Sequence, residues 1–246
     1  MIRAEIYRIQ RGWTFWSLLG VAIFLNVLAA YGTQSQMGHV EFATTALNRS
    51  ATQQLIGLGF GASLCSMIFG AVIITRDFGN LSIGRDALLA RGPVRLLGMR
   101  ALASGAPMLS FGLAGAGSVL VVAALALPRT GASLDLGGHG WTILVGVVGS
   151  VVLAGYFGQL VAWQSRRSLW TVAGLVAWTL LIEPRLITLV SSVGRFLPGG
   201  ATQGMLMDTS SITNILTPAS AYIVYIGWLA LLSVFAVHRL RSTDLR

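Results

Sequence analysis

Residues 141–163 read WTILVGVVGSVVLAGYFGQLVAW and contain no charged side chain. An apolar run of about 18 residues or more is long enough to cross a bilayer as a helix. Comparable runs recur along the chain, and the predicted spans are residues 16–31, 55–75, 101–127, 141–163, 169–182 and 219–237. The sequence therefore predicts an all-α polytopic membrane protein with six spans, forming a single transmembrane domain over residues 1–246.

The composition supports this prediction. Of the 246 residues, 54% are hydrophobic and 10% are charged, whereas a soluble domain usually carries about 25% charged residues. The mean hydropathy is +0.74. The net charge of +9 sits in segments between apolar runs. A nucleic-acid-binding protein would gather its charge on one face of a folded domain, so no nucleic-acid partner is expected.

The distribution of arginine predicts the orientation. With the N-terminus inside, 13 of the 17 arginines fall in inner segments, and the acidic residues divide evenly between the two sides. Positively charged loops are retained in the cytoplasm. We therefore expect a multi-pass protein of the bacterial cytoplasmic (plasma) membrane, with the lipid bilayer around it and both termini inside.

The segments outside the spans differ in character. In residues 1–15, Ile6 and Ile9 belong to an apolar helical stripe from which Arg3 and Arg8 are excluded. This pattern is typical of an amphipathic helix that lies in the membrane interface, although a plain basic flank is the alternative. Residues 183–218 have mixed polarity and contain prolines, which predicts an outer segment with short helices.

The sequence contains little that supports chemistry. It has no lysine, which excludes a P-loop ATPase and Schiff-base chemistry in this chain. A single cysteine, Cys65, excludes an intramolecular disulfide. We therefore expect no enzymatic activity and no bound cofactor or metal. Asn26 either bonds between helices or faces a polar path, and the residue pattern leaves both open.

The predicted inner loop, residues 76–100, is the most informative segment. It mixes acids, arginines, an aromatic residue and apolar residues, bounded by glycine and proline. A plain connection between two helices is usually much shorter. The loop is either a solvated connector or a contact surface for a partner.

Two stretches carry a resemblance to a known family. An acid–aromatic pair, Asp77-Phe78, is followed by Leu81-Ser82-Ile83 and by the basic, proline-containing segment 91–95. Near the C-terminus, residues 196–201 and 216–219 precede the last span and a basic tail. This arrangement resembles the type-2 ATP-binding-cassette (ABC) exporter permeases. Leu81 stands where that family usually has glycine, and Ser82 where it usually has threonine.

The resemblance implies a permease subunit that works with two copies of a separate ATP-binding cassette subunit. A second permease, identical or homologous, would complete the transporter. ATP and Mg²⁺ would be bound by the ATPase, not by this chain. The implied contacts with the ATPase are Arg3, Arg8, Asp77, Phe78, Asn80, Leu81, Ser82, Ile83, Arg85 and Asp86. The implied substrate path, for a drug, peptide or lipid, is lined by Asn26, Phe60, Ser63, Met67 and Trp178.

Other functions remain as alternatives at this point. A non-transporting scaffold or sensor subunit would need neither a polar path nor an ATPase partner. A transporter that does not use ATP would need ionisable residues inside the bundle, and the spans hold few. An intramembrane enzyme would need a catalytic constellation that the sequence does not offer.

Overall fold

The computed structural model describes residues 12–37, 45–80, 83, 92–130, 134–207 and 215–242. Within these ranges the protein is helical and contains no strand. The helices are α1 (Trp13–Met37), α2 (Thr45–Gly57), α3 (Ala62–Gly79), α4 (Pro93–Ala126), α5 (Gly137–Ser165), α6 (Ser168–Ala177), α7 (Glu183–Leu189), α8 (Ser191–Gly194), α9 (Pro198–Leu206) and α10 (Pro218–Ser242). The prediction of an all-α protein is confirmed for the described residues.

Six helical segments are long and apolar enough to cross a membrane. They are Trp13–Thr33, Arg49–Gly79, Val94–Ala126, Gly137–Ser165, Ser168–Leu189 and Pro218–Ser242. Each overlaps one of the six predicted spans. The number and type of the spanning elements agree with the prediction, and the protein is a multi-pass membrane protein by these criteria.

The fifth span continues beyond its predicted end. The sequence Glu183-Pro184 predicts a break after residue 182, because proline removes a backbone hydrogen-bond donor. Instead, a π-helical turn (Trp178–Ile182) leads directly into α7, and Pro184 lies in the first turn of that helix. A π turn and a first-turn proline both let a helix continue past a missing donor. The spanning segment therefore reaches Leu189.

The helix α5 lies at the centre of the bundle. Over its most apolar window, 67% of its residues are buried, compared with 17% for α10 and 22% for α1. The peripheral helices expose large apolar side chains, such as Phe24 and Leu28 of α1 and Ile223 and Phe235 of α10. Such faces suit contact with lipid or with another membrane subunit.

Glycines bring α3 and α5 into close contact. A Cβ atom added at Gly158 would collide with the backbone carbonyl of Met67, and one at Gly70 would collide with that of Gly155. Small residues at a helix interface allow the two backbones to approach closely. The α3–α5 pair is therefore packed backbone against backbone.

The predicted outer segment contains short helices, and one of them returns to the bundle. A Cβ atom added at Gly146 of α5 would collide with the carbonyl oxygen of Met205 in α9. Gly146 lies nine residues into α5, which is about 13 Å along a helix. Met205 and Ala201 of α9 are fully buried. The helix α9 thus packs alongside α5 rather than lying apart from it.

The predicted interfacial helix lies mostly outside the described residues, which begin at Gly12. Residues 13–15 of that prediction belong to the first spanning helix, α1. We call the end of the bundle at which α3 ends and α4 begins the loop end, because residues 81–91 connect those helices. We call the opposite end the far end.

Candidate functional site

A buried ion pair joins α3 and α4 at the loop end. Asp77, in the last turn of α3, lies with its Oδ2 atom 3.0 Å from Nη2 of Arg100 in α4. The two side chains are only 8% and 7% exposed. Removing two charges from water carries a large desolvation penalty, so each charge of such a pair depends on the other. The pair therefore ties the end of α3 to α4.

The neighbouring residue, Phe78, ties α3 to α5. Its ring meets Trp163 edge to face, with the ring centroids 5.5 Å apart and the planes at 79°. This is a favourable arrangement for two aromatic rings. On the same ring, the guanidinium carbon of Arg166 lies 5.4 Å from the Phe78 centroid, which is within the range of a cation–π contact.

Arg166 is held in an unusual backbone conformation. Its φ angle is +58°, a left-handed value that ends α5, and its amide N–H donates to the Ala162 carbonyl at 3.0 Å. Burial lowers the pKa of the Arg166 guanidinium, and the positive charge of Arg239 lowers it further. The tight basic turn between α5 and α6 thus supplies the guanidinium that contacts Phe78.

Two further predicted contact residues lie at the start of the loop. The N–H of Asn80 donates to the Arg76 carbonyl at 3.0 Å and caps the end of α3. Ile83 is only 3% exposed and belongs to the same apolar core as Leu96 of α4 and Leu240 of α10. The beginning of the loop is thus anchored to several spanning helices.

The other predicted contacts lie outside the described residues. These are Arg3, Arg8, Leu81, Ser82, Arg85 and Asp86. For them, a contact with an ATPase stays a prediction from the sequence. For Asp77, the structure directs the carboxylate at Arg100 within the bundle, which indicates that Asp77 acts by holding the loop in position.

A cavity of about 450 Å³ lies toward the far end, and three of the predicted path residues line it. Phe60, Ser63 and Met67 contribute to its wall, together with Glu183 at the start of α7 and Tyr225 in α10. Its volume falls in the range of sites that take drug-sized molecules, about 300–1,000 Å³. A second cavity of about 570 Å³ adjoins it, since both are lined by Leu58, Phe60 and Leu206.

The other two predicted path residues do not line this cavity. Trp178 is half-buried in the π turn. Asn26 is 1% exposed, and its Nδ2 atom lies 3.4 Å from both the Gly59 carbonyl and the Ser118 hydroxyl. Of the two alternatives for Asn26, this geometry favours bonding between helices.

We expect Asn26→Ala to lower the free energy of unfolding by about 0.6–1.7 kcal/mol, which spans the average and the maximum measured for hydrogen bonds between membrane helices. Ligand binding in the cavity should stay unchanged, because Asn26 does not contact it. Chemical unfolding of the detergent-purified protein measures the first quantity, and ligand titration measures the second. Normal stability combined with lost binding would instead place Asn26 on the substrate path.

Sequence reasoning did not identify the partners of the predicted residues. Arg100, Trp163 and Arg166 complete the loop-end contacts. The only signal for Arg100 was its charge, opposite to that of Asp77 at the other end of the same loop. Glu183 was recognisable as an ionisable residue at the end of a span, but its place in a cavity depends on how α3, α9 and α10 pack around it.

Among the described residues, no group of three or more histidine, cysteine, aspartate or glutamate side chains is arranged to hold a metal ion. No protein-family model matches the chain, and a search of curated proteins finds no match. A function must therefore be argued from the residues and their geometry.

Proposed function

We propose that this chain is the membrane-spanning permease subunit of an ATP-driven ABC exporter. It moves a hydrophobic or amphipathic substrate outward by alternating access. One observation carries the proposal: the loop between α3 and α4 begins at residues fixed to other spans. Asp77 pairs with Arg100 of α4, and Phe78 packs on Trp163 of α5.

These contacts suit a loop that transmits movement. If the first residues of the loop contacted only α3, a displacement of the loop would bend it locally. Here the displacement reaches α3, α4 and α5 together, because buried charges and packed rings resist local rearrangement. A movement of one packed unit against another is a common form of conformational switching in proteins.

Two of these three helices, α3 and α5, reach the cavity. Met67 of α3 and Ala154 of α5 are part of its wall. Asp77 lies ten residues after Met67, about 15 Å along the helix. A movement imposed at the loop end is thereby carried to the cavity without passing through a flexible segment.

The absence of lysine assigns ATP hydrolysis to another chain. A P-loop uses its lysine to reach the β- and γ-phosphates, so ATP and Mg²⁺ belong to the partner ATPase. With the arginine-rich loop end facing the cytoplasm, that ATPase would meet residues 76–92 and the N-terminal segment. A second permease subunit would pack beside this one through the exposed apolar helix faces.

The test is co-purification of a P-loop ATPase from membranes of the native host. We expect the tagged protein to retain a protein containing G-x-x-x-x-G-K-[ST], and we expect ATP-driven transport in vesicles that contain both. Asp86→Arg should remove most of the retained ATPase while leaving the thermal stability of the permease unchanged, because the charge reversal lies in the predicted contact.

Asp135→Arg is the matched control, since Asp135 pairs with Arg49 at the far end and should retain the ATPase as well as the unmodified protein does. If neither the unmodified protein nor the control retains a P-loop ATPase, the exporter proposal is wrong and a scaffold or sensor role gains support. If Asp86→Arg retains it fully, the contact lies elsewhere.

A further inference from the structure

The cavity toward the far end has a carboxylate in an otherwise uncharged wall. Glu183 is only 5% exposed, and no arginine or histidine is among the described residues that line the cavity. The remaining wall combines apolar side chains with hydroxyl and amide groups, including Phe60, Met67 and Gln203.

Among the described residues, the carboxylate has one neutral hydrogen-bond donor and no counter-ion. The backbone N–H of Gly199 donates to its Oε1 atom at 2.5 Å. Glu183 forms no ion pair with any residue in the described part of the chain. A buried charge without a partner carries a desolvation penalty of several kcal/mol, and an acidic residue within a membrane protein generally marks a functional site.

The wall is therefore suited to a positive charge. Gln203 adds a buried carbonyl oxygen that has no hydrogen-bond partner among the described residues, which is a second acceptor. Phe60 adds an aromatic ring to the wall, and the face of such a ring favours a cation over an anion. An anionic ligand would find no cationic side chain among the described residues of this wall.

We infer that the cavity binds an organic cation whose remaining surface is apolar, with its charge at Glu183 and its apolar groups against the wall of α3, α5 and α10. The inference that such a cation binds rests on the cavity alone. Its role as the transported substrate rests on the proposed function.

The experiment uses two probes of matched size and shape and opposite charge, tetraphenylphosphonium and tetraphenylborate. Binding is measured by equilibrium dialysis of the purified full-length protein in a neutral detergent, with protein-free micelles as the blank. We expect saturable binding of the phosphonium and none of the borate above the blank. Glu183→Gln should weaken phosphonium binding by roughly tenfold or more, because it removes the one negative charge among the described residues of the cavity wall.

Glu183→Gln replaces the carboxylate with an amide whose oxygen can still accept the Gly199 N–H hydrogen bond, so the local fold should persist. Asp135→Asn is the matched control, because it also turns a carboxylate into an amide at the far end and should bind the phosphonium as the unmodified protein does. Ser63→Phe provides a second variant, which keeps the carboxylate and fills the cavity, and it should also lose phosphonium binding.

Equal binding of both probes, absence of phosphonium binding, or unchanged binding by Glu183→Gln would each overturn the inference. If Glu183→Gln does not fold, the comparison of the two probes and the Ser63→Phe variant decide the question. Because dialysis needs neither ATP nor a partner, its outcome is independent of whether a P-loop ATPase co-purifies with the chain.

Discussion

Replacement of Asp77 by alanine is expected to lower the free energy of unfolding by about 3–5 kcal/mol, which is the usual effect of removing one partner of a buried ion pair. The variant leaves Arg100, which is 7% exposed at its side chain, without the carboxylate 3.0 Å away. Native proteins have about 5–15 kcal/mol of stability in total. Most of the Asp77→Ala protein should therefore aggregate in detergent, or unfold at a lower temperature than the unmodified protein. Size-exclusion chromatography measures the first effect, and thermal unfolding measures the second.

The surface ion pair at the far end is the matched control. Arg49 and Asp135 lie 3.2 Å apart, but their side chains are 51% and 33% exposed. Solvent screens such a pair, so Asp135→Ala should change the stability by less than about 1 kcal/mol. Exchanging the charges, with Asp77→Arg and Arg100→Asp in one chain, should recover part of the loss. Equal, small effects of Asp77→Ala and Asp135→Ala would show that the buried pair does not hold the loop end together.

The spans could be predicted from the sequence because the underlying energies are large and local. Exposing a backbone polar group or a charge to hydrocarbon is costly, so long apolar runs such as residues 141–163 leave few alternatives. The end of the fifth span was different. Its position depends on whether the helix can continue past Pro184. The π turn Trp178–Ile182 allows it to continue, and hydropathy alone does not predict this outcome.

The site was less predictable, because it depends on how each helix is rotated about its axis. The sequence placed Asp77 and Phe78 at the end of a span, but their partners Arg100 and Trp163 lie on two other helices. When a helix is apolar on every side, its hydropathy pattern does not show which face packs against which neighbouring helix. The glycines show the same limit, because their positions in the sequence do not tell which of them lie at a helix contact. Gly158 lies at a close helix contact, whereas a Cβ atom at Gly57 would meet nothing within 4 Å.

The contact between α3 and α5 links the loop end to the cavity. The Met67 backbone touches Gly158, and the Met67 residue is also part of the cavity wall. Further along the same two helices, Phe78 packs on Trp163. The two helices are thus joined at two levels, one beside the cavity and one at the loop end, an arrangement suited to movement as a unit. This arrangement depends on the close contact between Gly158 and the Met67 backbone.

Gly158→Ala is therefore expected to lower the free energy of unfolding by about 3 kcal/mol, at the upper end of the range for overpacking. The added methyl group would overlap the carbonyl oxygen and Cα atom of Met67. These are backbone atoms, which cannot move aside by changing a rotamer, so the helices must separate. We also expect the phosphonium probe to bind more weakly, because the separation displaces Met67 from the cavity wall. Chemical unfolding and equilibrium dialysis in detergent measure the two effects.

Gly117→Ala is the matched control, since it adds the same methyl group inside the spanning helix α4, where a Cβ atom would meet nothing within 4 Å. That substitution should leave stability unchanged or raise it by about 0.4–1 kcal/mol, because alanine restricts the unfolded chain without strain in the helix. A result in which Gly158→Ala is as stable as Gly117→Ala would mean that α3 and α5 are not packed backbone against backbone.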